Sequence, residues 1–211
     1  MARTEFDPGR MPARDFYKLM TCSIVPRPIA WVSTRSADGE DNLAPHSFFT
    51  VSCVEPPVLQ FTSVGRKDSQ RNIEQTGEFV VNFAPENLFE QINATATDFP
   101  PEVSEFEAVG IAAEASTYVA PLRVAESPIA FECRLAETIS FGDSTVIFGR
   151  VVAASVDRDV LEDGLPEIGR LRPVARLGRI EWMGPGPIRR TTRIPAAEWP
   201  GHFGGTDAER P

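Results

Sequence analysis

Two strand-like runs, PIAFECRLAETISF (128–141) and STVIFGRVVAASVDR (144–158), flank the dipeptide Gly142-Asp143. Both are rich in β-branched and aromatic residues, and glycine beside aspartate tolerates the positive φ of a two-residue hairpin turn. The spacing predicts one long antiparallel hairpin. Four further runs of the same character precede it: IAWVST (29–34), SFFTVSCV (47–54), VLQFTS (58–63) and EFVVNFA (78–84). The polar cluster SADGEDN marks a turn after the first. Glu55-Pro56-Pro57 marks a tight corner after the second, because neither proline can donate to a ladder. A last short strand is expected at GRIEW (178–182).

Helical signals are fewer and shorter. SQRNIEQT (69–76) ends at Gly77, a C′ glycine, and ENLFEQINATA (86–96) puts Leu88 and Ile92 on one face. A turn or two of helix is expected around SEFEAVG, within an otherwise loop-like, proline- and acid-rich stretch from 97 to 127. Strands do not alternate regularly with helices of 10–15 residues, which disfavours a doubly wound nucleotide-binding sheet. The fold class is mainly β, a barrel with short peripheral helices. A length of 211 residues fits one domain with a core of its own.

Charge narrows the function. Twenty-one Lys and Arg face 30 Asp and Glu, a net charge of −9, which argues against a dedicated nucleic-acid binder, because phosphate neutralisation needs a concentrated positive face. The excess sits in one place. Between Arg71 and Arg123 there is no basic residue, yet Glu74, Glu78, Glu86, Glu90, Asp98, Glu102, Glu105, Glu107 and Glu114 all fall there. Such a stretch reads as a solvated face. It leaves cations free to cluster elsewhere, at Arg66, Lys67 and Arg71 and from Arg170 to Arg193. Three widely spaced cysteines, Cys22, Cys53 and Cys133, make neither a disulfide framework nor a zinc signature, so a reducing compartment is expected. The first residues lack a signal-peptide core and no run reaches the ~18 apolar residues of a membrane span. A cytoplasmic protein is expected, with neither membrane nor nucleic acid as partner.

Few side chains suit acid–base chemistry. The histidines are His46 and His202, the latter in a low-complexity tail, and His46 beside Ser47 makes no triad because strand neighbours point to opposite faces. No ligand spacing suggests a metal. Such a chain can still be an enzyme if a cofactor carries the reaction. TSVGRKDSQRNI (62–73) offers Thr62, Ser63, Arg66, Lys67 and Ser69 between a strand and a helix, where free N–H groups and the helix dipole favour phosphate. The competing reading is a capped surface helix with Asp68 or Ser69 as N-cap. Arg27, between Pro26 and Pro28, sits at a rigid entry to the first strand. Residues from Asn42 to Phe49 offer amide, backbone and aromatic groups suited to a flat heteroaromatic ligand. Taken alone, Trp31, Phe48 and Phe49 read as core.

In order, PRPIAWVST, then DGEDNLAPHSFFTVSCVEPPVLQFTSVGRKDSQRNIEQTGEFVVNF, EQINATATDFP and RVAESPIAFECRLAE resemble the flavin reductase-like, FMN-binding split-barrel family over about residues 15 to 183. The resemblance implies a homodimer of six-stranded antiparallel Greek-key split barrels, with FMN in a groove at the subunit interface. Residues 1–14 would be an N-terminal extension, 15–183 the FMN-binding domain, and 184–211 a tail that is either disordered or docked on the partner. By resemblance, Arg27, Ser33 and Thr34 lie around the ribityl and phosphate end of the cofactor. Asn42, Leu43, Ala44, Pro45, His46, Ser47 and Phe48 run along its isoalloxazine, and Thr62, Ser63, Lys67, Ser69 and Asn72 bind its phosphate. The chain departs from the pattern twice. His46 stands where many relatives carry an aromatic residue, and Trp182 replaces an expected tyrosine-containing pattern, leaving Arg176 and Arg179 without an assigned place in a substrate pocket. The implied activity is hydride transfer from NADH or NADPH to flavin, then electron transfer to a small-molecule or protein acceptor, with no obligatory protein acid or base. The alternative is a flavin-binding electron carrier that reacts with a protein partner and not with NAD(P)H. A barrel binding haem or nothing is the third reading.

Overall fold

The computed structural model describes residues 2–199. Its main sheet is built from β1 (Ala30–Arg35), β2 (Asp41–His46), β3 (Phe49–Cys53), β4 (Val58–Val64), β5 (Glu78–Asn82), β6 (Ile129–Phe141) and β7 (Ser144–Val156). Every ladder is antiparallel, and the order across the sheet is β2-β1-β5-β6-β7-β4-β3. Four helices bear on the argument: α1 (Ala13–Ser23), α2 (Asp68–Thr76), α3 (Phe89–Ala94) and α4 (Glu105–Val109).

The hairpin forms as its turn chemistry dictates, with Phe141 opposite Ser144 and Gly142 at φ 59°. Two irregularities in register bend it, one of them between Phe148 and Gly149. Gly149 lies under the Phe79 ring, where a Cβ would come within 2.2 Å of Cζ. The missing side chain is therefore what lets the tip of the Phe79 ring from β5 approach β7 so closely.

β1 is buried on both faces, which explains why Ala30, Trp31 and Val32 follow one another without polar alternation. Ala30 and Val32 join Phe61, Ile73, Phe79 and Ile147 inside the barrel. Ile29 and Trp31 join Leu43, Leu88, Ile92, Phe106 and Val174 in a second core beneath α3 and α4. Trp31 is fully buried, and its indole N–H donates to Thr95 Oγ1 at 2.9 Å, as a buried indole should.

The sheet has seven strands where six were expected. Residues 47–54 are not one strand: Ser47 and Phe48 form a link between β2 and β3, and β2 is a strand of its own. That link joins opposite edges of the sheet. Two residues span only about 11 Å from one strand end to the next, so the sheet must curl until its edges approach. No ladder joins β2 to β3, and the barrel is left split along that seam. Other expectations shift similarly. The helix over 86–96 is a 3-10 turn at Glu86–Leu88 followed by α3. Of GRIEW only Trp182 is in a strand: Trp182–Met183 pairs with Ala175–Arg176, which pairs with Arg27–Pro28. α1 begins at Ala13, across the boundary expected after residue 14. His202 and the end of the tail lie outside the described residues.

Candidate functional site

A cavity of about 270 Å³ opens at the seam. β2 and the Ser47–Phe48 link form one side and the end of β4 the other. The start of α2 makes the floor, and residues 95–99, Glu105 and Tyr17 of α1 close the rim.

The floor comes from a strand-to-helix turn. β4 ends at Val64, Gly65 takes φ 74°, and α2 begins at Asp68. Lys67 is the N-cap, and no side chain caps the helix. The first-turn N–H groups, which have no partner within a helix, are therefore left without a capping oxygen, and Lys67, Asp68 and Ser69 line the cavity. This overturns the capped-helix reading: Asp68 and Ser69 lie inside the helix, and Asp68 pairs with Arg71. Thr62, Ser63, Lys67 and Ser69 all line the cavity. Lys67 Nζ meets Asp98 at 2.5 Å across the opening, and both side chains are more than half exposed. An ion pair so exposed is worth little and is readily exchanged for another anion.

The wall is the end of β2. Asn42, Ala44, Pro45, His46, Ser47 and Phe48 line it. Asn42 Nδ2 donates to Ser69 Oγ at 3.2 Å, and His46 Nε2 lies 3.4 Å from the same oxygen. That hydroxyl thus ties the wall to the floor. The His46 ring tilts against Phe61 at 4.6 Å. Burial pushes its pKa down to about 4, against a weaker opposing effect from a hydrogen bond to the Thr62 backbone, so the imidazole is neutral near pH 7. Phe48 is wall and not core, whereas Phe49 packs, half-buried, against the barrel interior.

Five of the expected site residues do not line this cavity. Ser33 and Thr34 are fully buried: Ser33 Oγ donates to the Leu122 carbonyl at 2.5 Å and accepts from Asn82, and Thr34 accepts from Asn72 Nδ2 at 3.1 Å. Asn72 is thereby spent inside the fold. Leu43 is core. Arg27, 7% exposed, is a tether: its Nη1 donates to the Thr21 and Ile24 carbonyls, Nη2 to Leu177 at 2.9 Å, and Nε reaches Ser47 Oγ at 3.4 Å. It supports the cavity wall from behind.

Glu105 is the cavity residue that the sequence hid. It lies in the acidic stretch read as solvated, yet it is 6% exposed, and its Oε2 accepts the Leu43 N–H of edge strand β2 at 2.8 Å. Burial raises its pKa, partly offset by that backbone bond, and the charge of Asp68 adds to the rise. Nothing in SEFEAVG separates this glutamate from its exposed neighbours. Tyr17 and the 95–99 segment were equally silent, since each reaches the cavity only through tertiary packing.

The whole arrangement suits a planar heteroaromatic group against Ala44, Pro45 and Phe48 with an anionic tail at α2. Among the described residues no cluster of His, Cys, Asp or Glu is placed to hold a metal, and no helix is long and apolar enough to cross a membrane.

Comparison with known proteins bears on this site. Residues 20–171 match the flavin reductase like domain family. An uncharacterized protein of Aquifex aeolicus is 43% identical over 168 residues, covering 77% of this chain and 86% of its own. The crystal structure of nitrilotriacetate monooxygenase component B from Bacillus cereus superposes with a TM-score of 0.87 at 32% identity, covering 90% of this chain and 100% of that one. The 2-nitrobenzoate 2-nitroreductase of Pseudomonas fluorescens gives 0.85 at 30%, covering 92% and 100%.

Proposed function

Because this chain belongs to the flavin reductase-like domain family, we propose that its cavity holds FMN and that the protein is an FMN-dependent oxidoreductase. It takes hydride from NADH or NADPH and passes electrons to a small-molecule or protein acceptor. One observation carries the reading: the uncapped N-terminus of α2, with Lys67, opens on the same cavity as the apolar end of β2.

The residues present fit the cofactor. A phosphate entering at α2 meets free N–H groups, the Lys67 ammonium and the hydroxyls of Thr62, Ser63 and Ser69. It takes the place of Asp98 on Lys67, which frees only an exposed carboxylate to water. Ala44, Pro45 and Phe48 supply apolar contact for a ring, and Asn42 and the β2 backbone supply polar edges. Bound FMN contributes a ring that accepts and releases hydride. The chain's part is to bind, orient and shield it. Neutral His46 steadies Ser69 and adds no charge beside the ring.

A flavin titration tests the assignment. Lys67→Ala is expected to weaken FMN about tenfold to a hundredfold, the loss of one charged hydrogen bond. Unchanged affinity overturns the phosphate site. Oxidation of NADH and NADPH by the FMN-loaded protein then separates a reductase from an electron carrier, which binds flavin without that turnover.

The working form is proposed to be a cytoplasmic homodimer with the flavin at the subunit interface. Val51 (68% exposed), Val54 (89%) and Phe141 (69%) put apolar surface along the β3 edge and at the hairpin tip, a surface that a second copy would cover. Sedimentation at micromolar concentration as a monomer only would count against the dimer.

A further inference from the structure

Beside the cavity wall, two arginines face one another, and neither is in an ion pair among the described residues. Arg27 and Arg176 are directly opposite in the short antiparallel pair of residues 27–28 and 175–176. Opposed residues of such a pair share a face, with Cβ atoms about 5 Å apart, and like charges there repel. Each carboxylate ion pair among the described residues goes to some other cation. Among the described residues no carboxylate relieves the repulsion.

The two guanidinium groups differ in what they have left to offer. Arg27 is spent on backbone carbonyls and Ser47, so it acts as a fixed positive charge. Arg176 uses only Nη2, which donates to the Arg179 carbonyl at 2.8 Å. Its Nε and Nη1 have no partner, and they are not buried, since Arg123 Nε is the one buried side-chain polar atom left unpaired among the described residues. The guanidinium is also held still. Its Cζ lies 4.6 Å over the Trp182 ring, which in turn stands edge-on to Phe89 at 5.3 Å. Burial and the neighbouring Arg27 both lower the Arg176 pKa, the direction expected of a cation short of negative charge. A planar, immobilised fork with a free N–H edge is suited to a carboxylate or a phosphate.

The pair adjoins the site. Arg27 Nε touches Ser47, and its Cζ is 5.8 Å from the centroid of Phe48; both residues line the cavity.

We propose that Arg176, with Arg27 fixed beside it, recognises an anionic group, carboxylate or phosphate, on the molecule that reacts with the flavin. The proposal rests on the FMN reading of the cavity. Trp182 is a positioning residue in this scheme, holding the Arg176 fork in plane, and Arg27 supplies field without contact. Two sources of the anion are chemically equivalent at the fork: a phosphate of the pyridine nucleotide, or the carboxylate of an organic acid acceptor.

The test uses the full chain, with and without saturating FMN, titrated calorimetrically with NADH, NADPH, benzoate and inorganic phosphate. Wild type is expected to bind at least one of these, and Arg176→Gln to bind that probe tenfold or more weakly while keeping its FMN affinity within twofold. Loss of the nucleotides identifies a donor phosphate; loss of benzoate identifies an acceptor carboxylate. Arg176→Lys retains charge without the fork and is expected to recover part of the affinity, which also serves should the glutamine variant fail to fold. If no probe binds wild type, or if both variants bind every probe as wild type does, the proposal is overturned. Failure of wild type to bind FMN overturns instead the reading of the cavity.

Discussion

Burial against the Phe61 ring keeps the His46 imidazole neutral, and this makes stability depend on pH in a definite sense. The folded pKa, about 4, lies below the ordinary 6.5, so between those values the unfolded chain takes up a proton that the folded chain excludes. Stability from this group is complete above pH 6.5 and is lost as the pH falls toward 4. Urea unfolding of the flavin-free protein is expected to show a decline of about 1 kcal/mol per pH unit at its steepest, and His46→Phe to flatten it. An equal decline in the variant would assign it to other groups. Residue by residue, the sequence was most legible where the lining of the cavity is encoded locally. Residues 62–69 carry hydroxyls and a lysine at a strand-to-helix turn, and Thr62, Ser63, Lys67 and Ser69 all reach the cavity. Ser33 and Thr34 misled because β1 is buried on both faces, so hydroxyls on it serve Asn82, Leu122 and Asn72 inside the fold. Glu105 was illegible because its partner, the Leu43 N–H, is 62 residues away in sequence.

At the level of elements, the long hairpin was readable because its pattern and its turn are both local. Its packing was not. Gly149 looks like an ordinary weak point in a strand, yet it is the seat of the Phe79 ring. Gly149→Ala is expected to destabilise the protein by about 1–3 kcal/mol through overpacking, measured as a fall in the urea midpoint at constant slope. Phe79→Leu in the same chain should return part of the loss, whereas strictly additive losses would show that the two residues do not meet. The ribbon of residues 27–28, 175–176 and 182–183 escaped sequence reading for a different reason. Each strand has two residues, too few for a period, and Arg27 and Arg176 lie at opposite ends of the domain's chain. The 47–54 run misled because apolar continuity says nothing about where a strand crosses from one sheet edge to the other.

For the molecule as a whole, the net charge of −9 conceals an internal balance. The acidic stretch is not simply a solvated face. Glu74 pairs with Arg66, Glu78 with Arg134, Glu86 with Arg172, Asp98 with Lys67 and Glu114 with Arg123, so cations from either side in sequence fold back onto it. Most of these pairs are exposed and contribute little stability each. Among the described residues their arrangement leaves Arg27, which touches the cavity wall, and its strand partner Arg176 outside the pairing.

Since no ladder joins β2 to β3 and the two edges meet at the Ser47–Phe48 link, the easiest opening of the barrel runs through the cavity. A ligand seated there touches both sides of the gap and acts as a clasp. Its binding free energy then appears as heat resistance: at a hundredfold excess over Kd, about 2.7 kcal/mol, or roughly 5–10 °C in Tm for a chain of this size. FMN should raise the Tm by that amount and riboflavin, which lacks the phosphate, by much less; equal shifts would mean that the tail carries no grip. If FMN is that clasp, its departure is expected to precede thermal unfolding, and loss of flavin absorbance in a melt should run ahead of loss of the β-sheet signal.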